Sequence, residues 1–200
     1  MSSDVEICNM AIRHAGLKTI VDPTNLVSQE ARDCARFYPQ VRDEMLAGKY
    51  DWSFCKQKRL MALMTVPDVY EGQFAYGYVQ PSQCLRLRGI YATGDAETIY
   101  DYDTWRTDSN DFLILTDAIG AIAHYTMVLP TSDWLTPAFV KALSYKLAAQ
   151  LNILSLDLPR SDINEAKYVE ALAQAKVDDR SSVNPTPKPY ACSWLDARGA

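Results

Sequence analysis

The sequence predicts a mainly α protein with a β insertion (α+β): a helical bundle of about four helices, a small antiparallel β subdomain and an extended C-terminal tail. Apolar residues recur at helical spacing near both ends of the chain, and the middle alternates β-branched and aromatic residues. The last twenty residues contain three closely spaced prolines. We expect an N-terminal helical part over residues 1–72, a β-rich insertion over 73–130, completing helices over 131–180 and the tail over 181–200.

A capping box predicts where the first helix begins. The Ser3 hydroxyl can accept a hydrogen bond from the backbone N–H of Glu6, whose side chain reaches back to Ser3. Gly16 is expected to end this helix. Late in the helix, His14 is expected to complement the helix dipole as a cation. The predicted apolar face consists of Val5, Cys8, Ile12 and Ala15.

A second helix is predicted from a cap near Ser28 to about Gly48. Pro39 lies inside it and predicts a kink or local break, because proline lacks a backbone N–H and crowds the preceding turn. After the helix, an aromatic cluster of Tyr50, Trp52 and Phe54 is expected in the core. The predicted apolar face consists of Ala31, Cys34, Ala35, Tyr38, Val41 and Met45.

The middle of the chain predicts short strands separated by turns. Within the second strand, residues 84–88 alternate leucine and arginine. Two interpretations of the arginines remain open: one solvent-exposed face of a strand, or an arginine-lined partner contact. The predicted strands are Phe74–Val79, Cys84–Tyr91, Thr98–Tyr102, Phe112–Leu115 and Ala121–Val128.

Two further helices are predicted after Pro130. Thr136 followed by Pro137 is typical of a helix start. The third helix then has an apolar stripe of Phe139, Leu143, Leu147, Leu151 and Leu154. The last helix is expected to begin near Ser161 or Asp162, with an apolar face of Ala166, Val169, Leu172, Ala173 and Val177.

The C-terminal tail combines prolines with aromatic residues. The prolines favour an extended, polyproline-like path, and aromatic residues are frequent interface anchors. The tail therefore either folds back on its own domain or docks on a partner. We predict that it binds the partner through Pro185, Pro187, Pro189, Tyr190, Trp194 and Leu195.

Composition and motifs argue against several classes of function. A net charge of −5 lacks the basic excess of a free-standing nucleic-acid binder. The N-terminus has no signal-peptide pattern, and no apolar run is long enough for a membrane span. The five cysteines are scattered, so we expect mostly buried free thiols in a reducing cytoplasm and no zinc site. Because no nucleotide-binding, metalloprotease or serine-hydrolase motif occurs, we expect no enzyme activity, cofactor or metal.

Short patterns along nearly the whole chain follow the order found in one known family. They are Cys8-Asn9-Met10-Ala11-Ile12 with Ala15-Gly16, Trp52-Ser53-Phe54, Tyr78-Val79-Gln80-Pro81 before Cys84-Leu85-Arg86-Leu87, Tyr125-Thr126, Phe139, Ala142-Leu143, Lys146-Leu147-Ala148, and Tyr168, Leu172, Asp178-Asp179-Arg180 and Trp194. In this order and spacing the chain resembles the head-to-tail adaptor proteins of tailed phages, particularly the tail tubular protein A group. Gln83, where an acidic residue is expected, and Pro130 depart from the pattern.

The resemblance implies a structural virion protein, made in the host bacterial cytoplasm and located in the tail or neck. It implies a ring, most often a dodecamer, that joins the portal protein to the tail nozzle or tail tube protein. DNA would pass through its channel without specific binding, and no membrane is involved. Modest acidity agrees with such a conduit, because a negative wall repels the DNA backbone. The alternatives are a virion-associated peptidoglycan hydrolase and a generic cytoplasmic binding domain.

Overall fold

A computed structural model describes residues 3–17, 29–67, 70, 72–107 and 112–182. Within these ranges the chain forms four α-helices and two four-stranded antiparallel sheets, which confirms the predicted α+β fold class. Helices and strands share one hydrophobic core. No helix in this described part is both long and apolar enough to cross a membrane.

The helices are arranged around the third one. They are α1 (Asp4–Ala15), α2 (Gln29–Ala47), α3 (Pro137–Leu154) and α4 (Leu158–Ser182). Helix α3 contacts all three others. Its predicted stripe is buried from Phe139 to Leu151, but Leu154 is 46% exposed. Leu154 lies in the last turn of α3 beside the equally exposed Ile153, where the chain turns from α3 towards α4.

The predicted caps of α1 and α3 are confirmed. Ser3 N donates to Glu6 Oε2 over 3.0 Å, and Glu6 N donates to Ser3 Oγ over 3.3 Å. Gly16 ends α1 with a φ of 73°, a conformation that glycine adopts without strain. At the start of α3, Thr136 Oγ1 accepts from Phe139 N over 3.4 Å.

Helix α2 runs without a break through Pro39, so the predicted local break is wrong. Burial on both sides of the proline stabilises the helix, because Tyr38 and Val41 pack in the core. The Tyr38 hydroxyl also donates to Asp4 Oδ1 over 2.8 Å. The predicted apolar face is buried except for Ala35, which is exposed. The predicted cap at Ser28 lies outside the described residues.

Helix α4 turns a different face inward from the one predicted. Val169 and Val177 are 60% and 59% exposed, Ala166 and Ala173 are exposed as well, and Leu172 is half-buried. The buried residues of α4 are Ser161, Asn164, Ala171, Ala175 and Asp179. The prediction of the apolar face was wrong because polar residues on the opposite face find hydrogen-bond partners inside the protein.

The first strand begins earlier in the sequence than expected, and one predicted strand is divided into two. They are β1 (Lys56–Leu60), β2 (Leu63–Met64), β3 (Tyr76–Val79), β4 (Cys84–Ala92), β5 (Asp95–Tyr100), β6 (Tyr102–Arg106), β7 (Phe112–Thr116) and β8 (Ile122–Met127). Strands β1 and β2 precede residue 73, where the insertion was expected to begin. The predicted single strand over residues 98–102 is divided between β5 and β6.

The two sheets have the orders β1-β8-β4-β5 and β2-β3-β7-β6. Residues 56–64, here the first edge segment, form an edge strand of one sheet and then an edge strand of the other. Residues 95–106, the second edge segment, do the same at the opposite edges. Trp52 joins this β part to the bundle, because its ring meets that of Phe139 at 4.9 Å.

Candidate functional site

The six residues predicted to bind a partner lie outside the described residues. They are Pro185, Pro187, Pro189, Tyr190, Trp194 and Leu195. The structure therefore describes the place where this segment joins the bundle, which is the C-terminal end of α4 at Ser182.

Asp179 fixes the end of α4 to the connection between α2 and β1. Its side chain is buried and accepts hydrogen bonds from the backbone N–H and the hydroxyl of Ser53. The single proton of the Tyr50 hydroxyl is shared between two acceptors, Asp179 Oδ2 at 3.0 Å and the Lys176 carbonyl at 3.1 Å. Hydrogen bonds to a charged carboxylate are stronger than those between neutral groups, so a carboxylate that accepts several of them is held firmly in place. The last turn of α4 is thus positioned by residues more than a hundred positions earlier in the chain.

Tyr50 extends this anchor with aromatic and cationic contacts. Its ring lies 4.6 Å from that of Trp52, and the charged groups of Lys176 and Arg180 lie 5.8 Å and 5.6 Å from its centroid. Such contacts are favourable because the face of an aromatic ring carries partial negative charge. Burial, followed by the hydrogen bond to Asp179, raises the pKa of Tyr50, so the hydroxyl stays a donor.

A groove of about 310 Å³ lies next to this anchor, between α2, α3 and α4. Lys49, Lys146 and Lys176 line it, together with one acidic residue, Glu44. Lys146 donates to Glu165 Oε1 over 2.9 Å and lies 5.0 Å from the Tyr168 ring. No sequence pattern indicates this lysine group, because its members come from α3, α4 and the segment that follows α2.

The arginines of β4 have a role that neither sequence interpretation included. Arg88 donates to the carbonyl oxygens of Leu46, Gly48 and Tyr50 over 2.8–3.1 Å, and its side chain is only 13% exposed. Arg86 donates to the Ala47 carbonyl over 2.6 Å. The last carbonyls of a helix lack partners within the helix and attract positive charge. The two arginines therefore cap α2 and attach the sheet to the bundle.

A second polar group caps the end of α1. Asn152 of α3 donates to the Ala15 carbonyl over 3.0 Å, and Asn164 of α4 donates to the His14 carbonyl over 3.2 Å. Asn164 also donates to Asn152 Oδ1 over 2.9 Å, and Arg160 donates to the Ala15 carbonyl over 3.1 Å. These bonds explain why the buried face of α4 includes the polar residue Asn164.

The prediction that His14 acts as a cation is wrong. Its ring stacks on Tyr145 at 4.2 Å, and burial, then Lys167 and Lys141, lower its pKa. The neutral form is therefore favoured. The His124 ring packs at a tilt against Tyr91, with the ring centroids 4.1 Å apart, and burial followed by Lys58 lowers its pKa as well. Both histidines serve as packed rings rather than as charged groups.

The cysteines are dispersed through the described structure. Cys8, Cys34 and Cys55 are buried free thiols and Cys84 is half-buried, whereas Cys192 lies outside the described residues. Burial is the main cause that raises the pKa of Cys55 to about 12 and that of Cys84 to about 11, which disfavours the reactive thiolate. In the part of the chain that the structure describes, no three histidine, cysteine or acidic residues are grouped as metal ligands.

A scan of the chain against models of known protein families matched none of them, and a search of curated proteins found no match.

Proposed function

We propose that the chain is a structural virion protein, a head-to-tail adaptor whose ring joins the portal to the tail and lines the DNA channel. The observation that carries the proposal is the ordered set of sequence patterns, from the first helix to Trp194, that resemble those of phage adaptors. The α+β fold agrees with the bundle and β insertion that this resemblance implies.

The position of α4 supports a role for the residues that follow it. Asp179 attaches the end of this helix to Ser53 and Tyr50, so residues 183–200 continue from a fixed point on the bundle. Their prolines restrict the free chain, which lowers the entropy lost on binding. Aromatic anchors after a restricted spacer suit attachment to a neighbouring ring. We assign the portal contact to this tail.

The test is deletion of residues 183–200, which leaves all of α4 in place. We expect the Tm to stay within a few degrees and stable binding to the portal protein of the same virus to be lost. Trp194→Ala should weaken portal binding at least tenfold, since an anchor residue contributes about 2 kcal/mol or more. Binding is measured by co-sedimentation and mass photometry, and the Tm by calorimetry.

Trp134→Ala is the matched control, because Trp134 is 53% exposed in the segment before α3 and its substitution removes the same side chain from another surface. It should leave portal binding unchanged. A truncated protein that unfolds, or one that binds the portal with full affinity, would contradict the assignment of the contact to the tail.

A further inference from the structure

The strands of the first edge segment, and part of the second edge segment, are exposed to solvent. Every residue of β1 and β2 is exposed, and so are Glu97, Thr98 and Ile99 of β5. Among the residues that the structure describes, no additional strand pairs with the outer side of either segment. Exposed edge strands are templates for pairing with another chain unless charge or shape prevents it.

The two edge segments carry opposite charge. The first, residues 56–64, has three basic residues and no acidic one, whereas the second, residues 95–106, has four acidic residues and one basic one. Lys58, Arg59 and Glu97 form no ion pair with any described residue. Equal charges on both edges would keep copies of the chain apart. Opposite charges on the two edges of the same sheets attract one copy to the next.

Exposed apolar side chains accompany these charges on both segments. In the first edge segment Leu60 is 63% and Leu63 is 68% exposed, and in the second Ile99 is 63% and Tyr102 is 39% exposed. An interface needs an apolar centre in addition to charged residues around it. Each segment therefore offers the composition of half an interface.

Strand direction allows the two segments to pair. Each sheet has four strands with antiparallel neighbours, so its first and last strands run in opposite directions. A second copy in the same orientation then presents β5 antiparallel to β1. In the other sheet the strand directions alternate in the same way, so β6 of the second copy is antiparallel to β2 of the first. The alternation of strand direction thus continues across the contact.

The faces of the two strands also agree. Lys58 lies opposite His124, and His124 lies opposite Gly89, over which the Ile99 side chain is placed. Lys58 and Ile99 therefore share a face. An antiparallel pairing of the two segments on this shared face brings the basic residues of one copy beside the acidic residues of the next.

We infer that the first edge segment of one copy binds the second edge segment of the next copy, so that their sheets continue from subunit to subunit. The contact is head-to-tail, and contacts of this kind form closed rings when the rotation between copies allows it. This inference rests on the proposed ring function and specifies which surfaces form the ring.

The experiment reverses the charge of one edge at a time. One variant is Lys58→Glu/Arg59→Glu, and the other is Glu97→Lys/Asp103→Lys. Each variant alone presents like charges at the contact, and we expect assembly to require at least a tenfold higher concentration than for the native chain. An equal mixture of the two presents opposite charges at every contact, so the mixture should assemble as the native chain does.

Assembly is measured by sedimentation velocity and mass photometry, with and without portal protein, and circular dichroism verifies folding. The control Lys141→Glu/Lys167→Glu changes the net charge as much as the first variant does but acts on α3 and α4. It should assemble normally. An unfolded variant is replaced by the single substitution Lys58→Glu or Glu97→Lys, mixed in the same way.

Failure of the mixture to assemble would overturn the inference, as would native protein that stays monomeric in both conditions. If the edge variants assemble normally and deletion of residues 183–200 abolishes assembly, the tail forms the contact between copies instead. A different outcome, the loss of portal binding, would contradict the adaptor proposal. A chain that assembles in this charge-dependent way but does not bind the portal keeps the inferred contact and loses the proposed function.

Discussion

Helices α1 and α4 both pack against α3, but they do so with different chemistry. The inner face of α1 is apolar, with Ile7, Ala11 and Ile12 fully buried. The inner face of α4 includes Ser161, Asn164 and Asp179, while Val169 and Val177 of the same helix are exposed. Burial of apolar area stabilises α1 without regard to partner geometry, whereas the position of α4 depends on specific hydrogen bonds.

The difference predicts that single polar substitutions act more strongly on α4 than its hydropathy indicates. Asp179→Ala would leave the N–H and hydroxyl of Ser53 without their acceptor, and the Tyr50 hydroxyl would keep only the Lys176 carbonyl. We expect the free energy of unfolding to fall by about 3 kcal/mol, since hydrogen bonds to a charged group contribute about 1.5–3 kcal/mol each and partial solvation offsets part of the loss. Urea denaturation measures this change.

Asp178→Ala is the matched control for that substitution. Asp178 occupies the same turn of α4, is exposed, and accepts from Gln174 four residues earlier. Its replacement should change the free energy of unfolding by no more than about 0.5 kcal/mol. Equal effects at the two positions would mean that charge at the helix end, rather than the buried contacts of Asp179, stabilises α4.

Valine substitutions compare the outer face of α4 with the core directly. Val140 of α3 is 4% exposed, and Val140→Ala should lower the free energy of unfolding by about 2 kcal/mol. Val177→Ala and Val169→Ala remove the same atoms from exposed positions. Their effect should stay within about 0.5 kcal/mol, because little apolar area is lost and alanine favours helix. Comparable losses at all three positions would place the outer face of α4 inside a packed interface.

These contrasts explain how far the sequence could predict the structure. Ser3, Gly16 and Thr136 act through neighbouring backbone, so their capping roles could be identified from adjacent residues. The buried face of α4 could not, because Asn164 is stabilised by Asn152 and by the end of α1. Hydropathy ranks asparagine as a surface residue when its partners are distant in sequence.

The same limit applies to the strands and to the candidate site. Strand β1 has the sequence Lys-Gln-Lys-Arg-Leu and is exposed throughout, so no apolar alternation indicates it. It is a strand because it pairs with β8. Arg88 was correctly placed on a strand, but its carbonyl partners at the end of α2 depend on tertiary structure. The tail residues from Pro185 to Leu195 stay a prediction from sequence.

The smallest expected effect concerns pH and the junction between α1 and α3. His14 stacks on Tyr145, and its pKa lies below the ordinary 6.5 because of burial and the nearby Lys167 and Lys141. The unfolded chain therefore binds the proton more tightly than the folded one. The contribution of neutral His14 to the free energy of unfolding is fully present above pH 6.5, and it is lost as the pH falls through the folded-state pKa. The Tm should decrease modestly between pH 7.5 and 5.5.

His14→Phe keeps an aromatic ring against Tyr145 but removes the titrating group, so the Tm should depend less on pH over this interval. His124 also has a lowered pKa and contributes a slope of the same sign, which His124→Phe should remove independently. The two reductions should add in the double variant, because the rings pack on different elements, α3 and β4. A His14→Phe protein with the native pH slope would show that His14 is protonated equally in both states. The stacked ring would then stabilise α1 by contact alone, like the apolar residues on the inner face of that helix.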